Sequence, residues 1–172
     1  MSYPLIMPDL RKNFSQIYDK YIDKIYRFIF LKVSSQEIAQ DLTSETFLRT
    51  WESVKNGTKI ENHQAFLYRT ARNLVIDHYR EKGKAQVISA DLVPILDPRE
   101  DLEEKASFNL DLANVKQAIA GLKEDYQNAI IWHYLDDLPI QEVAKMLDRS
   151  EEATRVLLHR ALNALRDEIK EA

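Results

Sequence analysis

Residues 142–162 read EVAKMLDRSEEATRVLLHRAL. Wound at about 100° per residue, the stretch from Asp148 to Arg166 places Arg155, His159, Asn163 and Arg166 on one face. Leu157, Leu158, Ala161, Leu162, Ala164 and Leu165 are expected on the other. A shorter helix, Ile140 to Leu147, precedes it across a connection of three or four residues. Ala144 is expected inside that helix, and Ser150 stands where it caps the next one. This is helix-turn-helix spacing. Asp148 occupies the position where such turns often use glycine, and Asp is among the few residues that tolerate the left-handed conformation.

On the polar face Arg155 suits a guanine edge or a phosphate, and Arg160 and Arg166 suit flanking phosphates. Val156, an aliphatic residue within a polar arc, can rest on a thymine methyl group. Glu151 and Glu152 favour the helix start through its dipole but repel phosphates, unless one accepts from a cytosine amino group. An ordinary amphipathic closing helix would show the same spacing.

The chain as a whole is acidic, with 24 Lys plus Arg against 28 Asp plus Glu, a formal charge of −4 and a pI near 5.6. Affinity for DNA comes mostly from neutralised phosphates, so any DNA contact must be local or assisted. At 172 residues the chain makes one ordinary domain or two small helical lobes. Its 45% hydrophobic and 30% charged residues are normal for a folded, water-soluble protein. The absence of cysteine excludes disulfides, thiolate metal sites and a cysteine nucleophile, and suits a reducing compartment. No run approaches the roughly 20 apolar residues of a membrane span, and the start lacks the order of a signal peptide. A cytoplasmic address without membrane insertion is therefore expected.

The periodicity is helical throughout. Leu10, Phe14, Ile17, Tyr21, Ile25 and Phe28 recur at three and four, with Tyr18, Ile22 and Ile29 on the adjoining strip. A second helix is expected from about Gln36 to Val54, stopped by Gly57, and a third from about His63 to Lys82, stopped by Gly83. From Ala85 the chain turns acidic and carries two prolines, which reads as a linker. Helical spacing resumes near Phe108 and runs through Val115, Ile119 and Leu122 to Ala129, Ile130, Tyr134 and Leu135, before the last two helices. The reading is all-α: two small helical domains, 1–84 and 111–172, joined by an acidic flexible linker at 85–110, the second a helix-turn-helix domain.

In the second helix Asp41, Glu45 and Glu52 share a narrow arc with Leu48 beside them. Phe47, Trp51 and Val54 form one apolar patch, and Ile38 and Leu42 another, so that helix can have two neighbours, its own core and a partner protein. The acidic ridge alone is equally a solvated face. The third helix sends Leu67, Ala71, Leu74 and Val75 to one side and Arg69, Arg72, Asn73 and Arg80 to the other, with Lys82 and Lys84 extending the positive end. A basic face beside aromatics can hold a single strand, although a solvated face has the same pattern. His78 falls on the apolar side as a core histidine.

In this order the segments resemble the small bacterial RNA polymerase sigma factors of the extracytoplasmic-function class. DLTSETFLRTW at 41–51 is similar to the family's polymerase-binding helix, FLYRTARNLVIDHYR at 66–80 to its promoter-melting and minus-ten segment, and the stretch at 142–162 to its minus-thirty-five helix-turn-helix. The resemblance implies an alternative sigma factor that binds core RNA polymerase and promoter DNA, with room for an anti-sigma factor. Residue by residue, it implies that Asp41, Leu42, Glu45, Phe47, Leu48 and Trp51 belong to the helix that docks on the polymerase clamp, some of them facing the lobe's own core. It lays Arg69, Arg72, Asn73 and Arg80 along the opened minus-ten strand, and matches the loop at 55–64 to one that captures a flipped base, with Asn62 and His63 as candidates. Arg155, Val156, His159 and Arg160 fall on positions implied to meet the minus-thirty-five duplex.

Departures accompany the likeness. Only one of two usual basic residues opens the reading helix. Lys123 and Gln127 stand where a proline and an arginine are common, and Ser44 replaces a frequent glutamine. Promoter sequence therefore does not transfer from relatives. In the family the acidic linker threads the enzyme's basic interior, so an acidic chain needs only local basic faces if the polymerase supplies most phosphate neutralisation.

Two other classes compete. A free-standing dimeric helix-turn-helix regulator would bind a palindrome tightly on its own. An enzyme would have only scattered His63, His78, His133 and His159 to work with, none at zinc-ligand spacing, and no glycine-rich phosphate loop. No cofactor, metal or catalytic residue is expected.

Overall fold

The computed structural model describes residues 6–83 and 113–171, and among them every regular element is a helix. The chain divides into two compact units, Met1–Ile88 and Ser89–Ala172. The linker read at 85–110 and the resumption of helix near Phe108 lie outside the described residues.

The first unit is a three-helix packing of α1 (Ile6–Val33), α2 (Gln36–Lys55) and α3 (His63–Lys82), each against the other two. The three-and-four spacing in α1 buries Ile25, Phe28 and Ile29 completely, whereas Tyr18 near its start stays exposed. A tight turn at Ser34, with φ +56°, leads to Ser35, whose hydroxyl accepts from the Ile38 N–H at 3.4 Å and so caps α2. Gly57, at φ +87°, ends α2 as the sequence suggests, because its N–H bonds back to the Val54 carbonyl in a conformation glycine adopts without penalty. The core closes with Phe28 edge-on to Tyr68, ring centres 5.3 Å apart.

Of the two apolar patches of α2 only Phe47 belongs to its buried face, which otherwise lies between them and consists of Ala39, Thr43, Thr46 and Thr50. Each threonine hydroxyl donates to the carbonyl one turn back: Thr43 to Ala39 at 2.6 Å, Thr46 to Leu42 at 2.7 Å, Thr50 to Thr46 at 2.8 Å. A buried hydroxyl costs roughly 1–3 kcal/mol when unbonded, so these bonds let threonine serve as core.

The second unit comprises α4 (113–120), α5 (Glu124–Ile130), a π-helical turn (Ile131–Leu135), α6 (Ile140–Leu147) and α7 (Glu151–Glu171). The periodicity from Val115 to Leu135 suggested one continuous run, which the structure corrects. The helix stops at Gly121, where an added side chain would begin 2.9 Å from a Glu168 carboxylate oxygen. Gln127 then reaches back, its side-chain N–H donating to the Ile119 carbonyl at 2.8 Å, and satisfies the end of α4. At the π turn the Asp136 N–H bonds five residues back to Ile131 at 2.9 Å, and Leu138 bonds to Trp132 at 2.9 Å. The widened turn buries Ile131 and Trp132 and leaves Tyr134 and Leu135 exposed, so the last two were not core.

α7 packs on α5 and α6. Leu122, Ile130 and Ala161 form one cluster and Ala129, Leu157 and Leu158 another, with Tyr126 packed against both.

Candidate polymerase and nucleic-acid interfaces

In the second unit the turn between α6 and α7 fixes what α7 presents. Asp148 adopts the left-handed conformation, φ +55° and ψ +49°. Its N–H bonds to the Lys145 carbonyl at 3.2 Å, and the Arg149 N–H bonds to the Ala144 carbonyl at 2.9 Å, a paired closure of the kind helices use at glycine. Ser150 then caps α7, its hydroxyl accepting from the Ala153 N–H at 3.1 Å. Val143 and Ala144 on α6 and Thr154, Leu157, Leu158 and Ala161 on α7 are buried, so the angle between the two helices is held by packing on both sides.

The exposed arc of α7 carries Arg155, Val156, His159, Arg160, Asn163 and Arg166. Val156 is half exposed although aliphatic, which leaves its methyl groups available at the surface. Arg155 lies 3.5 Å from Glu151 one turn earlier, an exposed pair that holds the guanidinium only weakly. Leu162, expected with the apolar group, is only partly covered, because it sits about 20° from Arg155 on the helix wheel and so marks the border of the arc.

In the first unit, α3 divides as its spacing indicated. Leu67, Tyr68, Ala71, Leu74 and Val75 are buried; Arg69, Asn73 and Arg80 are exposed, and Arg72 is partly covered. Asn62 has a structural use in the loop before them, since its side-chain oxygen accepts from the Ala65 N–H at 3.0 Å and caps α3. His63, the first residue of α3, is half-buried. His78 is half-buried rather than core, edge-on to Tyr79, and burial followed by the nearby Lys82 charge pushes its pKa below the ordinary value. The Tyr79 hydroxyl donates to the Lys32 carbonyl and joins the ends of α1 and α3. Burial raises the Tyr79 pKa above its ordinary value.

On α2 the six residues read as a docking set separate into two groups. Asp41 is exposed, Leu48 is 51% exposed, and Glu45 is partly exposed with an ion pair to Arg49 at 2.8 Å. Phe47 is buried and so belongs to the lobe's own core, while Leu42 and Trp51 are half-covered. Trp51 meets Phe14 at a tilt of 56° with ring centres 5.1 Å apart, and Phe47 meets Tyr18 at 4.9 Å. The sequence reading of this face had no signal for Phe14 and Tyr18, which lie in another helix and, with Arg11, Ser15 and Trp51, line a shallow groove of about 320 Å³.

Residues 17–85 match the family described as Sigma-70 region 2, and residues 112–165 match Sigma-70, region 4. The chain belongs to the sigma-70 family. Among relatives it is similar to the extracytoplasmic-function RNA polymerase sigma factor BldN of Streptomyces coelicolor, 30% identical over 88% of this chain and 58% of the relative. It is likewise similar to SigW of Bacillus subtilis, 27% identical over 92% of this chain and 89% of the relative. Thus the chain spans little more than half of the first relative and most of the second. The sigma factor RpoE, solved with the anti-sigma factor NepR from Bartonella quintana, shares the fold with a TM-score of 0.73 at 21% identity, over 92% of this chain and 98% of that one. This sigma-70 chain is an alternative sigma factor of the extracytoplasmic-function class, and the free-standing dimeric regulator is not favoured. Its relatives are sigma factors, which are not enzymes. Among the described residues no helix is long and apolar enough to cross a membrane.

Proposed function

We propose that the two units divide the work of promoter-specific initiation, the first binding core RNA polymerase through α2 and the opened minus-ten strand through α3, the second reading the minus-thirty-five duplex with α7. The observation that carries this reading is the exposed arc of Arg155, Val156, His159 and Arg160, presented behind a turn that Asp148 and Ser150 lock. Arg155, Val156 and His159 offer base-edge contacts, and Arg160 beside them adds only local phosphate neutralisation. The polymerase supplies the remaining charge.

On α2, Asp41, Glu45 and Leu48 are the docking residues, with Leu42 and Trp51 at the margin and Phe47 supporting them from the core. On α3, Arg69, Arg72, Asn73 and Arg80 follow the phosphates of the opened strand. Asn62 presents the loop by capping α3, which leaves His63 as the better placed group for an extruded base. The reading places the chain in the cytoplasm and gives it no catalytic role. An anti-sigma factor, the kind of protein solved with RpoE, would compete for the α2 face.

The test mixes the purified chain with core polymerase and genomic DNA and maps transcript starts. New starts sharing two upstream elements support the proposal; failure to copurify with polymerase and to direct any new start refutes it.

A further inference from the structure

Beside the reading arc lies an open groove of about 640 Å³, walled by the residues opening α5 and by one flank of α7. Three cations converge on it from separate elements: Lys123 before α5, Arg149 in the helix-turn-helix connection, and Arg160 in α7. Tyr126 and Val156 supply apolar wall, and Glu124 and Asp125 also line the space, the Glu124 carboxylate accepting from the Asn128 amide at 3.4 Å. Arg149 is held by Asp125 at 2.9 Å, with both side chains about two-fifths exposed (41% and 38%). Among the described residues Lys123 and Arg160 make no ion pair.

Val156 and Arg160 belong both to the reading arc and to this wall. When α7 lies in a major groove, the connection before it follows the groove's rim, where the sugar-phosphate chain runs, and the start of α5 is tied to that connection by the Arg149–Asp125 pair. We propose that this groove seats a backbone phosphate of the promoter duplex, gripped by Lys123, Arg149 and Arg160, and that Asp125 occupies Arg149 until the phosphate displaces it. The inference rests on the reading of α7 as the duplex-facing helix.

A phosphate offers the guanidinium the same forked acceptor geometry as a carboxylate, with neighbouring lysine and arginine charge in addition. The existing pair is exposed, so exchanging it costs little. Asp125 and Glu124 meanwhile offset the cations in the free chain, which keeps the groove from gripping any duplex it meets. Selectivity then comes from the base contacts of α7 and from the polymerase that brings the duplex close.

The test measures binding of the full chain to a labelled random-sequence duplex across a salt series, and of the reconstituted holoenzyme to a promoter fragment recovered by start mapping. Lys123→Gln and Arg149→Gln should each lower the slope of log K against log salt, the two together by about 0.9 for the one phosphate they share, and leave base preference unchanged. Arg149→Lys should restore most of the slope. Asp125→Asn should tighten binding at each salt concentration, and the gain should vanish in the Arg149→Gln background. Thermal melts of each variant separate folding defects from lost contacts. Unchanged slopes in both Gln variants, with Arg155→Ala still altering base preference, would overturn the groove and leave the reading of α7 intact. No effect from Arg155→Ala, or no duplex binding by the wild type in either setting, would overturn both.

Discussion

Leu48→Ala separates docking from folding most sharply. Removing three carbons from leucine forfeits about 2.4 kcal/mol if all are buried, at about 0.8 kcal/mol per methylene. In the free chain Leu48 is 51% exposed, so folding has realised about half of that and docking can realise the rest, about 1.2 kcal/mol. The dissociation constant for core polymerase should therefore rise about sevenfold, since about 1.4 kcal/mol is tenfold. Titration of labelled chain into core polymerase reads this directly. Thr50→Val supplies the control, because Thr50 is buried on the opposite side of α2 and its hydroxyl bonds only within the helix. That variant should change the melting temperature slightly and polymerase affinity not at all. Wild-type affinity in Leu48→Ala, or equal losses in both variants, would refute the assignment of this face.

Further outcomes follow from other residues. Arg155→Ala should leave polymerase binding intact and relax preference at one base pair, with promoter affinity falling by about 1–3 kcal/mol, read by competition between promoter variants. Asp148→Gly should stabilise the second unit by about 0.5–1 kcal/mol, because a side chain at φ +55° carries a steric cost glycine lacks, and thermal melts should shift upward by a few degrees. Ser150→Ala should do the reverse by about 1 kcal/mol through loss of the α7 cap. His78 contributes a pH dependence with a definite sign. Its folded pKa lies below the ordinary 6.5, so the unfolded chain binds the proton more readily, and stability falls as pH drops through 6.5 toward the folded value. His78→Gln should flatten that part of the stability profile measured by denaturant unfolding.

The helices themselves were legible because local chemistry marks their ends. Gly57, Gly83 and Ser150 each stand at a boundary, and α3 and α6 begin and end where spacing and stop residues placed them. The left-handed Asp148 was legible for the same reason, since few other residues tolerate that backbone. Periodicity misled where side-chain hydrogen bonds changed the accounting. The Thr43, Thr46 and Thr50 face looks polar on a wheel, yet intrahelical bonds make it core. The π turn at 131–135 rotates the later positions, so Tyr134 and Leu135 moved outward although their spacing matched a buried stripe. The meeting of Phe14 and Tyr18 with Trp51 and Phe47, and the convergence of Lys123, Arg149 and Arg160, were not legible, because tertiary packing brings together residues that no single helix wheel relates.

The account depends on the polymerase supplying the phosphate grip that an acidic chain of net charge −4 lacks. The direct measurement is affinity for one mapped promoter fragment at physiological salt, with and without core polymerase. Tight, two-element binding by the holoenzyme with only weak association of the chain alone is the expected result. Nanomolar binding by the isolated chain as a homodimer on a two-fold symmetric site would contradict it.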